Sequence, residues 1–154
     1  MGLDQYLYAK NYYSSYSTNT DLEDFNKLME ISKVAEYAVP ADKWVQSVLL
    51  SVKVGQWRKA YHVHQWFASN ANYEENNNTE TYVPREDLSL LLEHCEQVLA
   101  DNSKVEELFP SGFTWSSDEP RDGYFRMGID YTAKLIKHVL KMPNVWEFYY
   151  HASW

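Results

Sequence analysis

The densest run of side chains with chemical potential is Trp57-Arg58-Lys59-Ala60-Tyr61-His62-Val63-His64-Gln65-Trp66-Phe67. Read as a helix, it sets Arg58, His62 and Trp66 four residues apart on one face. The trio offers a cation, a titratable ring and a flat π surface, which suits an anionic, ring-bearing ligand such as a nucleotide. Arginine holds a phosphate bidentately, and an indole stacks a base for about 1–3 kcal/mol. Gly55, ahead of the run, makes a strand–glycine–helix passage that aims backbone amides at a phosphate. Lys59, Asp4 in the opening Met1-Gly2-Leu3-Asp4, and Trp115 in Phe113-Thr114-Trp115-Ser116-Ser117 complete the candidate ligand-binding set. The competing reading is structural. In it the aromatics pack, Arg58 pairs with an acid, Asp4 is a solvated strand-end charge and the Trp115 segment plugs the core.

Other chemistries have weaker support. His62 and His64 point to one side on a strand, where zinc could use them, but about 200° apart on a helix. The helical reading therefore predicts no metal site. His94, His138 and His151 are scattered, with no His-Glu-x-x-His pattern. Cys95 is the single cysteine, so neither an internal disulfide nor a cysteine-rich zinc site is available. Its neighbours Leu91, Leu92, Val98 and Leu99 mark it as a buried thiol. There is no glycine-rich phosphate loop and no Gly-x-Ser-x-Gly elbow. Carboxylates are too numerous for a catalytic pair to stand out. No cofactor is expected, and no catalytic residue can be named.

The elements that must position these residues follow from periodicity. Leu3 to Tyr13 reads as a strand, with Tyr6, Tyr8 and Tyr12 alternating against Leu7, Ala9 and Tyr13. Thr20-Asp21-Leu22-Glu23 is a capping box. The helix it opens carries Leu22, Phe25, Leu28 and Met29, widened by Ile31 and Val34, and stops before Pro40. Val45 to Val54 is a strand with Val48, Leu50, Val52 and Val54 on one face. Gly55 breaks it, and Gln56 to Ser69 is read as helix.

Asn70 to Thr81 is a polar loop. Pro84 starts a helix striped by Leu88, Leu91, Cys95 and Val98. Asn102 to Phe109 adds a short helical turn, and Phe113 to Asp122 is an irregular aromatic loop. A last helix runs from Tyr124 to Lys141, weakened by Gly128 at roughly 1 kcal/mol relative to Ala. Val145 to Trp154 closes as a strand with Trp146, Phe148, Tyr150 and Ala152 on one face. The order predicts an α+β fold: a small, mostly antiparallel sheet covered by about four helices. Both terminal segments are expected in the sheet.

The chain has 154 residues and a 45% hydrophobic fraction, so one domain over residues 1–154 is expected to bury a core of its own. Thirteen Tyr and six Trp supply large apolar bodies with polar tips, for the core or for a stacking surface. The net charge of −8 argues against direct nucleic-acid binding, which needs a basic footprint. The charge is uneven. From Ala71 to Asp122 only Arg85, Lys104 and Arg121 stand against many acids, whereas Lys43, Lys53, Arg58 and Lys59 face only Asp42 between Asp42 and Tyr61. No signal peptide is read at the N-terminus. No apolar stretch approaches the ~20 residues that span a bilayer. The expected location is the cytoplasm.

Met1-Gly2-Leu3-Asp4 with Tyr6-Leu7, the segment Gly55 to Phe67 and the aromatic end Phe148 to Trp154 resemble a family of small hypothetical proteins of bacteriophages and prophages. The Trp-Arg-Lys-Ala…His…Trp-Phe element is the most specific piece. Tyr61 departs from an expected small polar residue, and Gln5 from an expected apolar one. The resemblance implies expression inside an infected bacterium and transfers no catalytic residue. The first functional expectation is therefore a non-enzymatic binder of a small, nucleotide-derived anion, a counter-defence protein that sequesters a host signalling nucleotide. The alternatives are an acidic inhibitor that binds a host enzyme or nuclease through the Ala71–Asp122 half, and a small nucleotide hydrolase or transferase using His62 or His64.

Overall fold

The computed structural model describes residues 2–14, 20–33, 47–71, 73, 79–109 and 123–153. It is an α+β fold built on a four-stranded antiparallel sheet in the order β2-β1-β4-β3. The strands are β1 (Asp4–Ser14), β2 (Ser47–Arg58), β3 (Thr81–Val83) and β4 (Glu147–Ser153). Five α-helices are present among the described residues: α1 (Thr20–Ser32), α2 (Tyr61–Asn70), α3 (Arg85–Ala100), α4 (Val105–Leu108) and α5 (Gly123–Val139). A 3-10 turn at Asn102–Lys104 links α3 to α4. The first and last strands both lie in the sheet, as expected from the alternation at both ends of the sequence, and they are its two central strands.

Contacts group the chain into two compact units, one of residues 1–9 with 53–154 and one of residues 10–52. In the larger unit, strand parity sorts the side chains. On β1, Gln5, Leu7 and Ala9 are buried while Asp4, Tyr6 and Tyr8 are half-buried on the other side. On β4, Phe148, Tyr150 and Ala152 are buried, and Tyr149 and His151 alternate with them. β3 pairs antiparallel with β4, setting Tyr82 across from Tyr149 and Val83 across from Phe148. The helices cover the inward face. Val63, Trp66 and Phe67 of α2, Leu88, Leu91, Cys95 and Val98 of α3, and Phe125, Ile129 and Ile136 of α5 join the strand residues in one core.

Arg85 anchors the connection from α5 to β4. Its guanidinium donates to the carbonyls of Leu140 (3.3 Å), Pro143 (2.7 Å) and Trp146 (3.3 Å), and lies 5.0 Å from the Phe148 ring centroid. Those bonds pin three carbonyls of the segment that follows the helix end at Val139.

In the smaller unit, α1 buries Phe25 and half-buries Leu28 and Met29, but Ile31 is 78% exposed. Ile31 therefore does not widen the apolar stripe as predicted. α1 ends at Ser32, before Lys33 at φ 55°. The expected contributions of Val34 and Pro40, and the side chains of Thr20 and Asp21 in the capping box, lie outside the described residues.

One boundary is corrected. The helix predicted over Gln56 to Ser69 is strand as far as Arg58 and helix only from Tyr61. Two backbone facts explain the shift. Lys59 adopts φ 56°, a left-handed conformation that no regular strand or helix continues through. The chain is then held at the reversal: the Lys59 N–H donates to Leu3 O at 2.7 Å, and the Gln5 amide bonds both backbone groups of Ala60. Gly55 likewise does not break β2. A Cβ there would overlap Leu135 Cδ2 and crowd Leu135 Cγ at 3.4 Å, so the residue permits close approach of α5 to the strand. The three-residue β3 is absent from the sequence reading, being too short for a period to register.

Candidate functional site

The corrected boundary separates the predicted ligand-binding residues. Arg58 stays at the exposed end of β2, its Nε 3.9 Å from Asp4 Oδ1. Lys59, also exposed, lies beside them, with its Cε 3.8 Å from where a Cβ on Gly2 would sit. Asp4, Arg58 and Lys59 thus share one corner of the sheet.

His62 and Trp66 belong elsewhere. The His62 ring is half-buried, 4.5 Å from the Phe125 ring by centroid, and a Cβ on Gly128 would reach two of its atoms at 3.2 Å. Gly128, which weakens α5 by propensity, makes room for that ring. Trp66 is fully buried, and its Nε1–H donates to His94 Nδ1 at 2.9 Å, which places the His94 proton on Nε2. It cannot stack a ligand from there. Trp115 lies outside the described residues.

His64 points away from His62, as a helix requires, and is buried. Its Nδ1 is 2.9 Å from the Tyr150 hydroxyl. Tyr150 is sandwiched against Phe67, with centroids 3.9 Å apart and planes at 14°. Burial pushes its phenol far above the usual tyrosine range. A second inward chain runs from Trp57 Nε1–H to Thr132 Oγ1 at 2.9 Å and from the Thr132 hydroxyl to Gly128 O at 2.7 Å. These buried polar groups bond one another across the core. Burial pushes the Cys95 thiol up to about 12, so it is a structural thiol and a poor nucleophile. Among the described residues no group of three or more His, Cys, Asp or Glu is placed to hold a metal ion.

The outward face of the same strands is different. Tyr6 and His151 are nearly parallel, at 13°, with ring centroids 6.3 Å apart. Lys53 Nζ lies 4.1 Å over the Tyr6 ring centroid. Tyr8 lies 6.2 Å from Tyr6, and Tyr82 of β3 meets Tyr149 of β4 edge-on at 5.7 Å. The Tyr149 hydroxyl donates to Glu147 Oε2 at 3.1 Å. Tyr82 is 51% exposed. The face therefore carries its cations at one edge and its rings beside them: Lys53 and Arg58 on β2, Tyr6 and Tyr8 on β1, His151 and Tyr149 on β4, Tyr82 on β3. Such a surface combines stacking, cation–π attraction and phosphate-pairing charge. Residue spacing along the chain does not reveal it, because strand pairing is what brings residues 53, 6 and 151 together. The signal present in the sequence was the alternation of Tyr6 and Tyr8 on one strand and Tyr149 and His151 on the other.

A cleft of about 190 Å³ lies at the β3–β4 end, lined by Tyr82, Arg85, Glu86, Asn144, Trp146 and Glu147 among others. Its arginine is the one already bonded to three carbonyls.

No protein-family model, curated protein or solved structure matches the chain. No helix among the described residues is long and apolar enough to cross a membrane.

Proposed function

We propose that this protein binds a small anionic ligand of the nucleotide class on the outward sheet face and holds it without converting it. One observation carries the reading: Lys53 Nζ sits 4.1 Å over Tyr6 while Tyr6 lies nearly parallel to His151. A base takes the flat rings, and a phosphate takes the Lys53 ammonium and the Arg58 guanidinium. Arg58 keeps the cation role expected from the sequence, Asp4 serves as its counter-charge rather than as a ligand contact, and Tyr6, His151 and Lys53 replace His62 and Trp66. In the phage setting suggested by the sequence, such a binder would withhold a host signalling nucleotide from its receptor.

Isothermal titration with AMP, GMP, CMP and UMP tests the proposal. Binding of at least one is expected, weakened about 5- to 150-fold by Tyr6→Ala, since stacking contributes roughly 1–3 kcal/mol per base. Absence of heat with all four, at millimolar ligand, would remove it. Mass spectrometry of the same mixtures separates holding from turnover, and a product peak would replace the binder with an enzyme.

A further inference from the structure

We infer that the outward face accommodates two bases joined through a phosphate, so that the ligand class is a small dinucleotide. The inference rests on the nucleotide reading above and extends it to a second stacking position.

β4 presents His151 and Tyr149 to the same side, two residues apart, which spaces their positions by roughly 6.8 Å along the strand. Each has a ring partner from a different neighbouring strand. His151 has Tyr6 of β1, and Tyr149 has Tyr82 of β3. Because β1 and β3 flank β4 on opposite sides, the two pairs lie diagonally across three strands, a width of about 10 Å. One base covers one pair. A mononucleotide at Tyr6 and His151 leaves the Tyr149–Tyr82 pair uncovered, with Tyr82 51% exposed.

Charge gives the ligand a direction. The cations Lys53 and Arg58 both sit on β2, beyond the Tyr6–His151 pair, whereas Glu147 accepts the Tyr149 hydroxyl bond at the other pair. A terminal phosphate fits the β2 edge. A neutral base with an exocyclic amino group fits the second position, where Glu147 accepts from it and a further phosphate is repelled. That asymmetry, with a net charge of −8, favours a short ligand over a long polyanion.

The experiment compares AMP, pApA and an adenosine decamer by titration against the whole protein and against Tyr82→Ala, Tyr149→Ala and Tyr6→Ala, each first checked for an unchanged melting profile. The expected result is pApA binding at least about tenfold tighter than AMP, from the second stacked base. Tyr82→Ala and Tyr149→Ala should bring pApA close to the AMP level and leave AMP unchanged. Tyr82→Phe should retain the gain, and Tyr6→Ala should weaken both ligands. Equal affinity for AMP and pApA, or equal losses for both in Tyr82→Ala, overturns the dinucleotide and leaves the nucleotide reading standing. No binding of either ligand overturns both. A decamer that binds tighter than pApA with a steep salt dependence overturns the small ligand in favour of single-stranded nucleic acid.

Discussion

Tyr149 and Tyr150 are neighbours in sequence and occupy opposite sides of one strand. On the inner side, Tyr150 is closed in by Phe67, Tyr73, His64 and Trp57. On the outer side, Tyr149 meets only the edge of Tyr82 among the described ring contacts, and its hydroxyl reaches a solvated carboxylate. The same residue type is a keystone in one place and a surface tile in the other. What differs is whether the polar tip finds a buried partner or faces toward water. Further pairs of the inner kind join Trp57 to Thr132 and Trp66 to His94 within the larger unit.

The sharpest way to break that contrast is to truncate both tyrosines. Tyr150→Ala should cost about 3–5 kcal/mol in urea unfolding, the range for removing a large buried aromatic side chain. Tyr149→Ala should cost under ~1 kcal/mol. Comparable losses would refute the division of labour.

Next in size is Gln5→Leu. It leaves the Ala60 N–H and carbonyl without their buried partner, and roughly 2–4 kcal/mol should be lost by the same measurement. Gly55→Ala forces a methyl into Leu135 and should cost about 1–3 kcal/mol. The double variant with Leu135→Ala should recover part of that if the clash is the cause.

Alkaline titration sharpens the inner side further. Cys95 has its thiol raised from 9.0 to about 12, so above pH 9 the unfolded chain releases a proton that the folded chain keeps. Stability is then full below pH 9, falls as pH climbs and is fully lost from this source above about 12. Tyr150, shifted in the same direction, adds to the fall above its ordinary value of 10.0. Cys95→Ala should flatten the slope that begins near pH 9, read as urea midpoints at pH 8, 9 and 10. The smallest effect belongs to the corner pair. Asp4→Asn should change stability by less than about 0.5 kcal/mol, because the Arg58 side chain is 76% exposed and the contact is long.

Most of the fold was legible because long elements carry their period in the sequence. The alternation of Tyr6 with Leu7, and of Phe148 with Tyr149, gave both central strands and their inner residues. Leu88, Leu91, Cys95 and Val98 gave α3. The candidate site was legible only in its ingredients. A continuous helix through Lys59 would set Trp66 beside Arg58, and a lysine carries no sign that its backbone turns left-handed. Tyr6, Lys53 and His151 could not be joined from spacing, since their proximity depends on which strands become neighbours. The three residues of β3, which bring Tyr82 to Tyr149, are too few to announce themselves.

The Gln5 amide carries a consequence for strand alignment. A leucine pointing inward would be accommodated in any alignment of β1 that keeps apolar groups on that side. An amide that must meet the donor and the acceptor of one particular residue, Ala60, accepts a single alignment. A slip by one position would carry Tyr6 into the interior and Leu7 into water. The glutamine thus acts as an index mark, and the arrangement of rings on the far side of the strand depends on a bond made on the near side.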